Sequence, residues 1–181
     1  MLAAFGLPML ARDYDGGLDH IEDAHGHQPL AGLMERTAFT YFKFAFVRNP
    51  WDRLVSTFFY LDRGGCNAFD QAFRDAHLAL YAGDFTAFVH DLERHMDALH
   101  LRPQCFWVCD ATGRVLTDFL GRYETLVEDF IAVAERLGLD SALPLLNASE
   151  HRFYREHYDG ETCAIVRRLY QQDIDKFAYE F

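Results

Sequence analysis

Arg48 and Ser56 close the two ends of the string Arg-Asn-Pro-Trp-Asp-Arg-Leu-Val-Ser, and both carry groups that bind oxyanions. A guanidinium offers a planar fork of N–H donors that matches phosphate oxygens, and a serine adds a hydroxyl donor. The surrounding pattern supports that chemistry. Tyr41 to Val47 is almost continuously apolar or aromatic, interrupted by Lys43, as expected of a strand covered on both faces. Pro50 falls at the first helical position, where its missing N–H costs nothing. From there Trp51, Leu54, Val55, Phe58, Phe59 and Leu61 keep a helical period, and Ser56 shares a face with Asp52 and Asn49. A strand that turns sharply into a helix presents free N–H groups and the positive end of the helix dipole. The composite asks for a phosphate.

His25-Gly26-His27 forms a second constellation. Imidazole is the side chain whose unperturbed pKa suits removing a proton at neutral pH. His-x-His also suits metal ligation, but no Cys or third His follows at ligand spacing, and Asp19, Glu22 and Asp23 have no assigned place. A histidine in a loop between weak elements also serves as a solvated or capping group.

FVRNPWDRLVSTF, residues 46–58, resembles the 3′-phosphate-binding segment of the carbohydrate sulfotransferases, the Golgi-type (heparan 2-O-type) family and its bacterial relatives. The resemblance continues in order through HLRPQCFWVCD (100–110), DFLGRYETLVEDF (118–130), LPLLNAS (143–149) and the closing YQQDIDKFAYEF. It implies a donor, 3′-phosphoadenosine 5′-phosphosulfate (PAPS), no metal, and a carbohydrate or small hydroxylated acceptor. It implies an α/β, P-loop-like fold with a central parallel sheet flanked by helices. By the same resemblance Arg48 and Ser56 clasp the 3′-phosphate, and the loop holding Asn147 and Ser149 closes over the cofactor. His27, upstream of Arg48, is the base, with His25 as its neighbour. Arg102 and Gln104 are expected to face the acceptor, although Gln104 could equally be satisfied by backbone groups. Arg53 either reaches the nucleotide or fixes the turn beside Asp52, and the second role is the expectation. Arg122, Tyr123 and Glu124 are expected to hold the sheet to the next helix.

The family opens with a strand and a Pro-Lys-x-x-Gly-Thr-Ser-like loop that cradles the 5′-phosphosulfate with backbone amides and a lysine. No such string occurs here, and the lysines are Lys43 and Lys176. The expectation is a single sulfotransferase domain over residues 1–181 whose first strand and phosphate loop are missing. An uncovered sheet position would then favour self-association. Two alternatives stay open: a nucleotide-binding remnant that transfers nothing, and a metal-dependent hydrolase built on His25 and His27.

Composition agrees with one globular domain. Half of the 181 residues are hydrophobic and 15% are aromatic, too many core formers for a disordered chain. The formal charge of −11 argues against nucleic acid or an anionic membrane surface as partner, and favours a neutral over a heavily sulfated acceptor. No apolar run approaches the roughly 18 residues of a membrane span, and the opening segment makes a poor signal peptide. A bacterial, cytoplasmic setting is the simpler expectation, with the Golgi lumen as the alternative for a eukaryotic fragment. In that lumen Asn147-Ala148-Ser149 would be a glycosylation acceptor. Cys66, Cys105, Cys109 and Cys163 show no CxxC spacing and read as reduced thiols.

The remaining elements follow from periodicity. Leu30–Thr37 reads as a short helix, and Asp84–Leu99 as an amphipathic one with Phe85, Phe88, Val89, Leu92 and Met96 on one side. Gln104–Cys109 and Val115–Leu120 read as strands about a Thr112-Gly113 turn. Glu124–Leu137 is a helix ended by Gly138, and Glu161–Phe177 another.

Overall fold

A computed structural model describes residues 29–34, 42–65, 67–140 and 153–181. These divide into two compact units, one holding the residues up to Arg48 together with the stretch from Pro103, the other holding Asn49–Arg102 and the C-terminal helices.

The first unit is built on two parallel strands, β1 (Phe44–Val47) and β2 (Phe119–Arg122), paired Phe44 to Phe119 through Val47 to Arg122. Its helices are α1 (Leu30–Met34), α5 (Cys105–Val108) and α6 (Leu126–Leu137). Its buried apolar residues include Phe46, Val47, Cys105, Val108, Leu116 and Val133. The expected α/β character and the parallel pairing of the first strand are present. β1 is buried only over its second half. α6 ends as expected at Gly138, whose φ of 66° supplies the left-handed C-cap.

Two strand assignments need correction. Gln104–Cys109 is not a strand: Cys105–Val108 is a helical turn. Pro103 starts it, its carbonyl accepting from Phe106 N–H, and Cys105, Val108 and Cys109 are buried at helical spacing. β-forming residues were overruled by the proline, which presets a helical φ. The second strand begins at Phe119, not Val115. Val115 makes only an isolated antiparallel bridge to Cys109, closing a turn organised by Asp110. The Asp110 carboxylate accepts from the Thr112 hydroxyl at 2.6 Å and from the backbone N–H groups of Thr112 and Arg114. These bonds, the Thr112 hydroxyl first, hold its pKa down to about 2.

Gly121 lets the sheet close on its own side chains. A Cβ there would stand 2.5 Å from the Phe46 ring and 3.1 Å from Asp129 Cβ. Gly121→Ala is expected to destabilise the protein by about 1–3 kcal/mol, the usual range for overpacking. An unchanged urea midpoint would contradict that packing.

The second unit is helical: α2 (Pro50–Asp62), α3 (Ala68–His77), α4 (Phe85–Asp91), α7 (Gly160–Leu169) and α8 (Gln171–Phe177). Trp51, Leu54, Val55, Phe58 and Leu61 bury one face of α2 against Phe85, Phe88, Val89, Val166 and Tyr170. Phe58 packs against Phe88 with its ring tilted by 33° and meets Phe85 edge-on, with centroids 5.1 and 5.3 Å apart. The expected Asp84–Leu99 helix stops at Asp91 and continues as a 3₁₀ turn, Leu92–His95. The expected C-terminal helix breaks at Tyr170, whose buried hydroxyl donates to the Leu101 carbonyl at 2.7 Å.

A polar chain crosses this unit. The Tyr81 hydroxyl donates to Asp91 Oδ2, His95 Nε2 lies 2.8 Å from that hydroxyl, and His95 Nδ1 lies 3.2 Å from His77 Nδ1. A neutral imidazole donates from one ring nitrogen and accepts at the other, so uncharged His95 can bridge Tyr81 and His77. Burial first, then His77 and Arg94, lower the His95 pKa, while Asp91 opposes them. A basic group with a lowered folded pKa takes up fewer protons folded than unfolded. Its stabilisation is therefore present above the ordinary histidine value of about 6.5 and is lost as pH falls below it. Urea midpoints should fall more steeply between about pH 7 and pH 5.5 in the wild type than in His95→Gln. Equal slopes would contradict the assignment.

Candidate active site

The two parallel strands end together at the Val47–Arg122 pair, and Arg48 and Tyr123 follow directly on each. Ligands of parallel α/β sheets gather at this carboxyl edge. The Arg48 guanidinium lies over the Tyr123 ring, its Cζ 4.0 Å from the centroid. The backbone of Arg48 is held by one side chain. Arg48 N–H donates to Gln104 Oε1 at 2.8 Å, and Gln104 Nε2 donates to the Arg48 carbonyl at 2.8 Å. Gln104 is 7% exposed, so its amide forms this clamp in a desolvated setting.

Behind Tyr123 a second clamp fixes the start of α6. Asp129 Oδ2 accepts from Arg122 N–H at 2.7 Å and from the Thr125 hydroxyl at 2.8 Å. The sheet is thus tied to the next helix through the Arg122 N–H, Asp129 and Thr125, while Tyr123 lies against Arg48. At the amino end of β1, Lys43 pairs with Asp118 at 2.6 Å, and those bonds lower the Asp118 pKa.

In the second unit Asn49 caps α2. Its Oδ1 accepts from Trp51 N–H, its Nδ2 donates to the Glu180 carbonyl, and Pro50 occupies the first helical position. Ser56 is half-buried on α2. Arg53 has the expected structural role, through a 2.7 Å bond to the Arg102 carbonyl rather than an Asp52 pair, and it also lies over the Tyr170 ring. Arg102 Nε donates to the Asp97 carbonyl at 3.1 Å.

Arg48 and Gln104 are therefore brought together, as backbone and clamp. Arg102 and Ser56 belong to the second unit. His25, His27, Asn147 and Ser149 lie outside the described residues. Among the described residues no group of three or more His, Cys, Asp or Glu is placed to hold a metal ion, and no helix is long and apolar enough to cross a membrane. Tyr123 lies beyond Leu120, where the apolar pattern ends the strand, so periodicity does not pair it with Arg48. Only the observed register brings it to the arginine.

A guanidinium held over an aromatic ring at the carboxyl edge of parallel strands suits an oxyanion. The Sulfotransferase family model matches residues 19–180. The chain belongs to the sulfotransferase family. A similar protein from Archaeoglobus fulgidus, described as an uncharacterized protein, is 30% identical over 117 residues, which are 64% of this chain and 84% of that relative. No solved structure matches at a significant level. For a sulfotransferase-family chain the small parallel sheet is an expected framework, and transfer of a sulfuryl group is the activity the membership suggests.

Proposed function

We propose that this chain transfers a sulfuryl group from PAPS to a hydroxyl of a carbohydrate or other small hydroxylated acceptor. The observation that carries the reading is the held Arg48, with its backbone clamped by Gln104 and its guanidinium laid on Tyr123. Such a group recognises the nucleotide's 3′-phosphate by charge and by paired N–H donors. Ser56, eight positions further along, adds a hydroxyl, and Asn147 and Ser149 supply further polar contacts to the nucleotide. The donor supplies the activated sulfuryl group. The chain's own task is to orient it and to remove the acceptor proton, which we assign to His27 with His25 beside it.

The charge of −11 supports a neutral acceptor. Transfer of labelled sulfate from PAPS to a panel of neutral glycans and small alcohols tests the reading. Label should appear on at least one acceptor and disappear in Arg48→Ala. Nucleotide binding without transfer to any acceptor would instead favour the reading of a nucleotide-holding protein that performs no chemistry.

A further inference from the structure

The contact between Arg48 and Tyr123 carries a second assignment. We propose that Tyr123 is a positioning residue for phosphate recognition, setting the place at which Arg48 presents its guanidinium. The inference rests on Arg48 being a phosphate ligand, as proposed above.

An arginine binds a phosphate selectively when its guanidinium is already in place. Its side chain has many rotamers, and ordering it opposes binding unless the fold has already fixed it. Two contacts contribute to that here. The Gln104 amide bonds both the N–H and the carbonyl of Arg48 at 2.8 Å, which fixes where the side chain departs from the backbone. The Tyr123 ring lies 4.0 Å from Cζ, which fixes the far end. A cation over a ring face uses the attraction of the ring for its charge, whereas phosphate oxygens are met by guanidinium N–H groups directed away from the ring. The two interactions are therefore compatible.

Tyr123 is itself held. It follows Arg122, the last residue of β2, and precedes Thr125, and the Asp129 carboxylate ties both of those neighbours. At 36% exposed, the ring is not part of the buried core.

The test uses the full chain and two nucleotides, adenosine 3′,5′-bisphosphate and adenosine 5′-monophosphate. The ratio of their affinities isolates the 3′-phosphate, and a general loss of stability would not move it selectively. Tyr123→Leu should lower that ratio about three- to thirty-fold, the range a cation–π contact carries. Tyr123→Phe should preserve the ratio, because the ring face acts and the hydroxyl does not. Thermal midpoints of both variants establish that they fold. A Tyr123→Leu ratio equal to wild type, while Arg48→Ala abolishes the preference, would overturn the role of Tyr123 alone. An Arg48→Ala ratio equal to wild type, or no preference in the wild type, would remove the phosphate reading of Arg48 and this inference with it. Loss in Tyr123→Phe equal to that in Tyr123→Leu would assign the effect to the hydroxyl and overturn the positioning argument.

Discussion

His27→Ala is expected to lower the rate of sulfuryl transfer by roughly 10²–10⁴-fold, the usual span for loss of a general base, with nucleotide affinity nearly unchanged. The separation follows from the proposed roles: the base meets the acceptor hydroxyl, and Arg48 meets the 3′-phosphate. His25→Ala should do less, because only one of two neighbouring imidazoles can reach the in-line position. The pH profile has a definite sign. Only the neutral ring can accept the proton, so the rate should fall as pH drops through the imidazole pKa. Steady-state rates and nucleotide affinity, measured in parallel on both variants, check this. Full turnover by His27→Ala would move the base to another group, with His25 and then Glu22 the next candidates.

Arg48→Ala is expected to remove about 2–3 kcal/mol of the preference for adenosine 3′,5′-bisphosphate over the 5′-monophosphate, the scale of a charged hydrogen bond left unmade. The substitution should act on the bisphosphate and leave the monophosphate almost unaffected. Stability should change little by comparison, because Gln104 clamps the backbone of Arg48, and an alanine keeps that N–H and that carbonyl. Calorimetry with both ligands, alongside a urea titration, separates the two effects. A parallel loss for both nucleotides would place Arg48 away from the 3′-phosphate. Raised salt should weaken the bisphosphate more than the monophosphate, since screening acts on the additional charge.

What could be read directly from the sequence was the strand–turn–helix around Arg48. Pro50 at the first helical position and the apolar period from Trp51 to Leu61 are local signals, and the helix begins at Pro50 and buries Trp51, Leu54, Val55, Phe58 and Leu61. Gly138 as a helix stop was equally local. The failures came where a distant partner decided the outcome. Cys105–Val108 carries β-forming residues, yet Pro103 and burial of one face turned it into a helix that delivers Gln104 to the backbone of Arg48. The residues between Asp84 and Leu99 have the period of one helix, but the chain tightens after Asp91, where Leu92 is buried and His95 meets Tyr81 and His77. Tyr123 could not be assigned from periodicity at all. Its relation to Arg48 depends on parallel register, which pairs Val47 with Arg122 across a long stretch of sequence. Pattern reading finds elements, while pairing between elements decides which side chains meet.

The most direct test of the account is calorimetric titration of the wild-type chain with adenosine 3′,5′-bisphosphate and with adenosine 5′-monophosphate at moderate salt. A held arginine recognising the 3′-phosphate predicts one bisphosphate per chain and an affinity roughly 30- to 150-fold above that of the monophosphate, corresponding to about 2–3 kcal/mol for charge-assisted hydrogen bonds. Equal affinity for the two nucleotides would contradict the phosphate role of Arg48 and, with it, the proposed use of PAPS.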